Sequence, residues 1–560
     1  MAKKNLIHLL VEESKSYIGI DKIVSLIEDG SELNNIPMHP LYMSIRSLPI
    51  EKKGLLLPRL SKEQRQALLD IDLWNKDYVN VTDFSTWLYV YATANDELKY
   101  EFVKSPEFAL FLKARFNIWT FDAEDPQYPD HDYYFLSECN QLLFEYDENC
   151  EMVDQLKDAI KILYTEEGVE KAYAYLFKIV ADQIGMMTED EYRLKKNRLQ
   201  DYGFIDYYEA LELTNTFPTI KHLNNFLKKS LSTDRPKAHV DDEHKNQRVS
   251  YGALSPFEDQ VDELSGELEK VENIERADFL SFNFVKLINA NIEINGGIKQ
   301  TAIELSKNSK ETKKLIELGL NYTKQFIRNE YSENFILFNT FSFSELFKIG
   351  KSLIVFGQNE IKNTYRKNKL EETFDSFLGP FFEQFIAKSL SKEYQYATQK
   401  NNIIQLNNFE NYQLWKIQID QLLELIPFAK AFKIKLESLA SEGKIQDQFY
   451  LNYTVKDIDF PTLLITSFAN YSLKNEEEHF KVGLTLVEFK RFMSSYQNKN
   501  TEKWNILLSE FSAKYGFEKI SNFPQLMNYF IDEALEGYSD VDNLKDEEFK
   551  YVGGPIILLV

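Results

Sequence analysis

Large apolar side chains recur along this chain at the spacing of an α-helix, and that spacing limits the fold more than any other feature. One set, at positions i, i+3, i+4 and i+7, consists of Phe84, Trp87, Leu88 and Tyr91. The segments 315–326 and 415–426 repeat the pattern. A helix that buries one face shows this spacing, so we interpret the aromatic stripes as core rather than as a surface for a cofactor or for bases. The sequence predicts a mainly α, multi-helical protein.

Local signals predict where some helices begin or break. Ser61 with Gln64, and Thr188 with Glu191, have the spacing of a capping box, in which two side chains bond the free N–H groups at a helix entrance. Gly379-Pro380 interrupts an apolar stripe, and proline inside a helix removes a donor and clashes with the preceding turn. We therefore expect helices to start at Ser61 and Thr188, and a helix to break before Pro380.

Two regions do not follow the helical spacing. The segments 116–121, 133–136 and 142–146 are short, rich in aromatic residues and separated by turn residues, which predicts a small antiparallel β element around residues 116–146. The chain ends in an apolar run, Pro555–Val560, after a glycine pair. We hypothesise that this run docks on the protein as a C-terminal strand or an extended plug.

The composition changes between Lys229 and Glu275. This stretch is polar, carries both charges and has few large apolar residues, and loops of such length without periodicity are usually disordered or functional. A chain of 560 residues is long enough for about three domains or two large lobes. We predict an N-terminal helical lobe with the small sheet at 1–228, a charged flexible linker at 229–275 and a C-terminal helical lobe at 276–560.

Charge and cysteine content limit the compartment and the partners. The formal net charge is −23, which repels phosphate backbones and argues against nucleic-acid binding. Cys139 and Cys150 are too few for a disulfide framework in a chain of this size, which favours a reducing interior. The apolar runs are too short for a signal sequence or a membrane helix, so we expect a cytoplasmic protein that does not enter the membrane.

Most recognisable catalytic and binding motifs are missing from the sequence. It has no Walker loop, dinucleotide glycine fingerprint, nucleophile elbow, zinc-binding HExxH helix or paired CxxC. The densest cluster of metal-binding residue types is His239, Asp241, Asp242 and His244, but it lies in the predicted linker, where no second shell would hold ligands rigidly. We predict no cofactor and no metal site.

The segment 188–213 is the most informative part of the sequence. Its first half is basic, Gly203 ends the predicted helix, and its second half is acidic. One interpretation is a salt-bridged helix pair in which Asp206 caps the second helix. The other is an anion site, because guanidinium groups bind carboxylates and phosphates through two hydrogen bonds. The candidate binding residues for the second interpretation are Arg193, Arg198, Asp201, Asp206 and Glu209.

A second charged segment, 57–77, places Asp70, Asp72 and Asp77 around Trp74. Carboxylates so close together are able to hold Mg²⁺ or to act as an acid and base pair. Spacings of two and five residues do not share a helix face, however, so we interpret this segment as a solvated helix end.

Three stretches resemble one known family. The pattern PRLSxExRQxLLDxDLWxKD at 58–77, the pattern YRxxxxRLxDxGFxDYYEALE at 192–212 and the ending YVGGPIILLV are similar to an uncharacterised bacterial family of large, mostly helical proteins known only as a domain of unknown function. The resemblance covers most of the chain and is strongest before residue 229. It implies a bacterial cytosolic protein with a shared architecture, and it implies no activity or catalytic residues.

Two functions remain open from the sequence. The first is a non-catalytic cytosolic interaction or scaffold protein whose partners are proteins. The alternative is an enzyme or ligand sensor in which Arg193 and Arg198 bind an anionic small molecule in an inter-helical cleft and Asp206 or Glu209 transfers a proton. The lack of catalytic motifs favours the first.

Overall fold

A computed structural model describes residues 33–536, apart from position 35, position 37 and the segments or positions 76–77, 123, 151, 233–262, 329–334, 372–373, 401, 407, 444–447, 451–452, 475–483 and 498–500. This part of the chain holds 23 α-helices and four small antiparallel sheets, which confirms the mainly α fold. The predicted C-terminal strand and the cluster His239–His244 lie outside the described residues. Within these ranges no helix combines the length and the apolar character needed to cross a membrane.

The elements of the first part of the chain alternate helices with short strands. In order they are α1 (Met38–Arg46), α2 (Ile50–Leu56), α3 (Lys62–Asp72), β1 (Trp74–Asn75), β2 (Tyr78–Val79), α4 (Val81–Ala92), α5 (Asp96–Val103), α6 (Pro106–Arg115), β3 (Asn117–Thr120), β4 (Tyr134–Leu136), β5 (Leu142–Glu145), α7 (Val153–Glu167), α8 (Val169–Ala181), α9 (Ile184–Gln200), α10 (Tyr207–Leu213), α11 (Ile220–Ser232), α12 (Glu263–Glu269) and α13 (Ile274–Ile294).

The elements of the second part are longer. In order they are α14 (Ala302–Ile327), α15 (Leu337–Thr340), α16 (Phe343–Asn368), α17 (Phe374–Phe377), α18 (Pro380–Ser389), β6 (Gln395–Ala397), β7 (Ile403–Gln405), α19 (Phe409–Ser441), β8 (Gln448–Tyr450), β9 (Tyr453–Thr454), α20 (Phe460–Ser472), α21 (Leu486–Gln497), α22 (Thr501–Tyr515) and α23 (Phe523–Leu535).

The described residues group into two compact units. The first lies within 1–215, 226–316 and 327–348, and the second within 216–225, 317–326 and 349–560. Helices α11 and α12 reach into the two ends of the segment predicted as a linker, and its middle lies outside the described residues. The predicted division at 229–275 therefore stays a prediction.

The first unit is built around aromatic stripes and one small sheet. The predicted stripe of α4 is buried, since Phe84 is 0% and Trp87 2% exposed. The predicted β element is a three-stranded antiparallel sheet in the order β3-β5-β4, with Ile118 and Phe135 both opposite Phe144. The prediction of a small antiparallel sheet around residues 116–146 is confirmed.

One of the two predicted capping boxes is present. Ser61 accepts a hydrogen bond from the Gln64 N–H, and the Ser61 N–H donates to the Gln64 side chain, at the start of α3. The prediction of a helix start at Thr188 is wrong, because α9 begins at Ile184 and the Thr188 hydroxyl donates to the Ile184 carbonyl within that helix. The same residue types occur inside helices, where the hydroxyl bonds the preceding turn.

The second unit contains the predicted helix break. Helix α17 ends at Phe377, and Pro380 occupies the first turn of α18, where its missing N–H has no helical partner to lose. Gly379 adopts φ +90°, and a Cβ atom there would lie 2.7 Å from the Cγ atom of Pro461. A close approach also occurs at Gly357 of α16, where a Cβ atom would lie 2.6 Å from the Trp415 ring. These contacts let neighbouring elements pack closely.

Candidate functional site

Helix α9 carries three charged residues into the interior of the first unit. Glu191, Lys195 and Arg198 stand at i, i+4 and i+7 and so share one face, which is the face that meets α3 and α6. Glu191 and Lys195 are buried, and the Arg198 side chain is 31% exposed. Charged residues are rarely buried without partners, so this face requires charged neighbours.

Arg198 is held by two carboxylates. Its Nε and Nη2 atoms donate to the two Asp70 oxygens at 2.8 Å each, and Nη2 also donates to Glu191 Oε1 at 2.5 Å. This is the fork-to-fork geometry that makes arginine–carboxylate pairs strong. The Asp70 side chain is 0% exposed, so its charge depends on this partner. The ionic part of the segment 188–213 therefore pairs with α3 rather than only with its own second half.

Glu107 of α6 adds a third carboxylate to this cluster. It is 0% exposed and accepts hydrogen bonds from the Trp74 indole N–H at 3.2 Å and from the Gln66 amide. Burial, and then the charge of Asp70, raises the pKa of Glu107. One guanidinium cannot balance the charge of three ionised carboxylates, so the cluster favours keeping a proton on one of them. Because burial raises the pKa of Glu107, Glu107 is the group that keeps this proton.

The three carboxylates also have metal-binding spacing. One oxygen from each of Asp70, Glu107 and Glu191 lies within 4.8 Å of the others. Two of the three already bond the Arg198 guanidinium, which supplies the positive charge that a cation would bring. The three carboxylates therefore form an ionic core in which Arg198 is the cation.

A cavity of about 590 Å³ lies beside this cluster, within the first unit. Its walls come from the end of α3, strand β1, the start of α4, α9 and the segment that leads into α10, and the end of α13 with the turn after it. They mix aromatic, aliphatic and charged side chains, namely Asp70, Ile71, Trp74, Asn75, Asn80, Asp83, Tyr192, Lys195, Lys196, Leu199, Phe204, Ile205, Asp206, Tyr207, Glu293, Ile294, Gly296, Gly297, Ile298 and Lys299.

Lys195 is the cavity group with the most altered acid–base chemistry. Its Nζ atom lies 4.8 Å from the centre of the Trp74 ring and 4.7 Å from that of Tyr192. Burial lowers its pKa to about 8, against the opposing effect of the charges of Asp70, Asp206, Glu293 and Glu107. The ring faces stabilise the ammonium, yet desolvation wins. A fraction of Lys195 is therefore a neutral amine at neutral pH.

Asp206 connects the cavity wall to the hairpin. Its carboxylate accepts from the Tyr208 N–H at 3.1 Å and so caps α10, as predicted. It also accepts a short hydrogen bond from the Tyr192 hydroxyl and lies 3.7 Å from Lys196 Nζ. These contacts fix the Tyr192 ring, and with it one of the two aromatic faces beside Lys195.

The turn after α13 forms another part of the cavity wall. Gly296 and Gly297 have φ +127° and +73°, so the chain reverses there in a conformation that favours glycine. This places Lys299 where its Nζ atom donates to the Asp72 carbonyl at 2.8 Å and lies 3.5 Å from Asp83. Glu293, one turn earlier, faces the cavity, and burial raises its pKa.

The structure separates the five residues predicted as a binding set. Arg193 is 74% exposed and pairs with Asp190 at 3.5 Å, whereas Arg198 is in the buried cluster. Five residues at 3.6 per turn place these two side chains about 140° apart around the helix. Asp201 is exposed at the end of α9, Asp206 lines the cavity, and Glu209 pairs with Lys286 of α13 at 2.5 Å.

The prediction that 57–77 is a solvated helix end is wrong for Asp70 and Asp72. Asp70 is buried against Arg198, and Asp72 accepts from the Tyr42 hydroxyl at 2.5 Å and the Trp87 indole at 3.0 Å. Asp77 lies outside the described residues. Short-range spacing gives no sign of these partners, because they come from other helices.

Sequence reasoning missed Glu107, Lys195 and Glu293 as site residues. One signal was present in the sequence: Glu191, Lys195 and Arg198 have the i, i+4 and i+7 spacing of a single helix face. Glu107 offered another, because it stands on the stripe of α6 that includes Leu110 and Phe111 at i+3 and i+4. An acid on an apolar stripe requires a buried partner.

Comparison with known proteins gives one match. A family model described as "Family of unknown function (DUF6178)" matches residues 21–557. No curated protein and no solved structure matches the chain.

Proposed function

The chain belongs to this family of unknown function, and from the geometry of its first unit we propose that the protein binds a small polar molecule in the cavity beside Lys195. The volume of about 590 Å³ falls in the usual range for small-molecule sites. The walls combine aromatic and aliphatic surface with many polar and charged groups.

Lys195 carries the proposal. It is a buried lysine on a cavity wall, it lies against two aromatic rings, and its pKa is about 8. Displaced pKa values inside a cleft are more common at functional sites than elsewhere. A cavity formed only by imperfect packing has no reason to hold an ammonium group away from water at this energetic cost.

The charge of the walls indicates what kind of molecule fits. Four carboxylates and three ammonium groups line the cavity. Lys196 and Lys299 pair with Asp206 and Asp83. Two of the three ammonium groups are thus engaged by carboxylates, and Arg198 is engaged by Asp70 and Glu191, so a neutral polar molecule suits these walls better than an anion. An anion bound at Arg198 would have to displace Asp70 and Glu191.

Blocking the cavity tests the proposal. Asn75 is exposed and lines the cavity, so Asn75→Trp places a large ring at its edge, while Asn75→Ala leaves the space open. A library of small neutral fragments is screened by saturation-transfer NMR against the full chain and both variants. We expect a group of fragments that binds the wild type and Asn75→Ala but not Asn75→Trp. If no fragment distinguishes Asn75→Trp from the wild type, the proposal is wrong.

An interaction role is a second proposal, and it is supported by an apolar face on α8. Val169 is 57% and Phe177 43% exposed, and Tyr173 lies between them at the same helical spacing and stacks on Phe177. Exposed apolar patches often mark protein contacts. Affinity capture from the native cell with wild type and with Val169→Asp/Phe177→Asp tests this; a protein partner bound equally by both contradicts it.

We also propose a cytoplasmic location. Its support is that Cys139 and Cys150 both carry free thiols, which persist most readily in a reducing compartment. Cell fractionation followed by thiol labelling checks this, and oxidised cysteines in the native protein would count against it.

A further inference from the structure

The cavity in the first unit has the groups needed for chemistry at an amine, and not only for binding. Lys195 is the amine, Glu293 is a carboxyl group that lines the same cavity, and the volume of that cavity is about 590 Å³. We propose that Lys195 forms an imine with a small neutral aldehyde or ketone bound in this cavity. This inference rests on the proposed function, because the carbonyl compound is the bound molecule.

The reaction balances with these groups. The Lys195 nitrogen attacks the carbonyl carbon, a C–N bond forms, and the carbonyl π electrons move to oxygen, which takes up a proton as the nitrogen loses one. The nitrogen lone pair then expels that oxygen as water, with a proton from the Glu293 carboxyl group. The products are a protonated imine, water and a Glu293 carboxylate. Burial raises the pKa of Glu293, which favours the protonated form of this carboxyl group.

The surroundings of Lys195 suit both the amine and the product. Charged and titratable groups come from every element around it: Asp70 of α3, Glu107 of α6, Glu191, Tyr192, Lys196 and Arg198 of α9, Asp206 before α10, Glu293 of α13 and Lys299 of the following turn. Burial keeps part of the amine neutral, as in other lysines that form imines. A protonated imine carries a positive charge, which the surrounding carboxylates and two ring faces stabilise.

The same charges select the carbonyl compound. A keto acid or aldehyde acid would bring its carboxylate towards Asp70 and Asp206, whose charges act on Lys195. The negative charges of the ligand and of the cavity carboxylates would repel each other, which disfavours binding. Asn80 and Tyr207 are neutral polar residues of the cavity wall that suit hydroxyl groups instead. A neutral hydroxylated aldehyde is therefore the preferred class.

Reductive trapping tests the inference. The full chain is incubated with glycolaldehyde or with glyoxylate, two-carbon aldehydes that differ in net charge, together with sodium cyanoborohydride, and adducts are located by peptide mass spectrometry. A lysine of pKa about 8 holds roughly 300 times more neutral amine at pH 7 than one at 10.5. We expect the glycolaldehyde adduct at Lys195 to form at least tenfold faster than at Lys157, whose side chain is 42% exposed.

Several outcomes decide the matter. We expect the Lys195 rate to rise with pH and to level off near the pKa of about 8, and glyoxylate, after correction for its reaction with free lysine, to label Lys195 less than glycolaldehyde. Glu293→Gln is expected to slow trapping at Lys195 severalfold, because the group that donates the proton is lost. Lys195 labelled no faster than Lys157 in the wild type overturns the imine proposal, and preferential labelling by glyoxylate overturns the neutral class.

The two proposals fail in different ways. Fragments that bind the wild type but not Asn75→Trp, without enhanced trapping at Lys195, leave the binding function standing and remove the imine. If Asn75→Trp does not slow trapping at Lys195, the cavity takes part neither in the proposed binding nor in imine formation. Because the adduct is mapped on the wild-type chain, neither result depends on a lysine variant folding.

Discussion

At the scale of single residues, burial decides which of two similar arginines matters to the fold. Arg193 and Arg198 belong to one helix and one basic run, yet Arg193 has a 74% exposed side chain with one partner and Arg198 neutralises two buried carboxylates. An exposed ion pair contributes little because water and salt screen it. A buried carboxylate that loses its partner is left with an uncompensated charge.

Paired variants test this difference. We expect Arg198→Met to lower the free energy of unfolding by about 3–5 kcal/mol, because Asp70 is left buried without its guanidinium. Arg193→Met, the matched control on the same helix, should change it by less than about 0.5 kcal/mol. Urea unfolding followed by circular dichroism measures both. Equal effects of the two substitutions would show that the cluster does not brace the fold.

Glu107 gives a pH dependence of defined sign. Its pKa is raised in the folded protein, so the folded state binds the proton more tightly than the unfolded state does. Its contribution to stability is therefore full below the usual glutamate value of 4.5 and is lost as the pH rises through the folded pKa. Glu107→Gln keeps an acceptor for Trp74 and removes this titration.

We therefore expect the stability of Glu107→Gln relative to wild type to increase by more than about 1 kcal/mol between pH 5 and pH 8. Urea unfolding at several pH values gives the difference, and Glu51→Gln at an exposed site is the control, for which the difference should stay flat. A relative stability of Glu107→Gln that falls with pH would mean that Glu107 is ionised and paired in the folded protein.

At the scale of helices and strands, the sequence predicts well those features that depend on residues close together along the chain. The helix break before Pro380 and the cap at Ser61 follow from groups within four residues of each other. The predicted sheet also follows from short aromatic-rich segments and the turn residues between them. The prediction of a helix start at Thr188 is wrong because a Thr and a Glu three residues apart occur both at helix starts and inside helices. Here the pair lies inside α9, which packs against α3 and α6.

Gly168 and Gly379 have similar backbone conformations but different surroundings, so a comparison of the two distinguishes backbone strain from steric crowding. Gly168 has φ +78° and ψ +165°, and Gly379 has φ +90° and ψ +162°. A Cβ atom at Gly168 would meet nothing within 4 Å, whereas at Gly379 it would lie 2.7 Å from Pro461. Residues other than glycine pay about 1–3 kcal/mol to adopt this conformation.

We expect Gly168→Ala to cost about 1–3 kcal/mol from the backbone alone. Gly379→Ala should cost at least about 1 kcal/mol more, because the contact with Pro461 adds overpacking. Unfolding in urea, monitored by tryptophan fluorescence, compares the two variants. A Gly379→Ala that is no worse than Gly168→Ala would show that α20 moves away without cost.

At the scale of the whole molecule, the candidate site was beyond sequence reasoning. Its members Asp70, Glu107, Lys195 and Glu293 are separated by tens of residues and become neighbours only when α3, α6, α9 and α13 pack. Asp70, Lys195 and Glu293 each fit an ordinary surface helix when taken alone, and Glu107 stands out only as an acid on an apolar stripe. The five predicted binding residues instead came from one stretch of sequence, and a single helix cannot direct residues five apart to one point.

Net charge gives the last prediction at this scale. The chain carries −23, so only a local basic face could attract a nucleic acid. The most basic described stretch of the site, on α9, does not form one: Arg193 pairs with Asp190, Lys196 with Asp206 and Arg198 with Asp70. We expect no retardation of a 30-base-pair duplex in a gel-shift experiment at 50 mM salt and micromolar protein. A retarded band at 50 mM salt that disappears at 200 mM would reveal binding by counterion release, and would show that a basic surface elsewhere in the chain outweighs the overall charge.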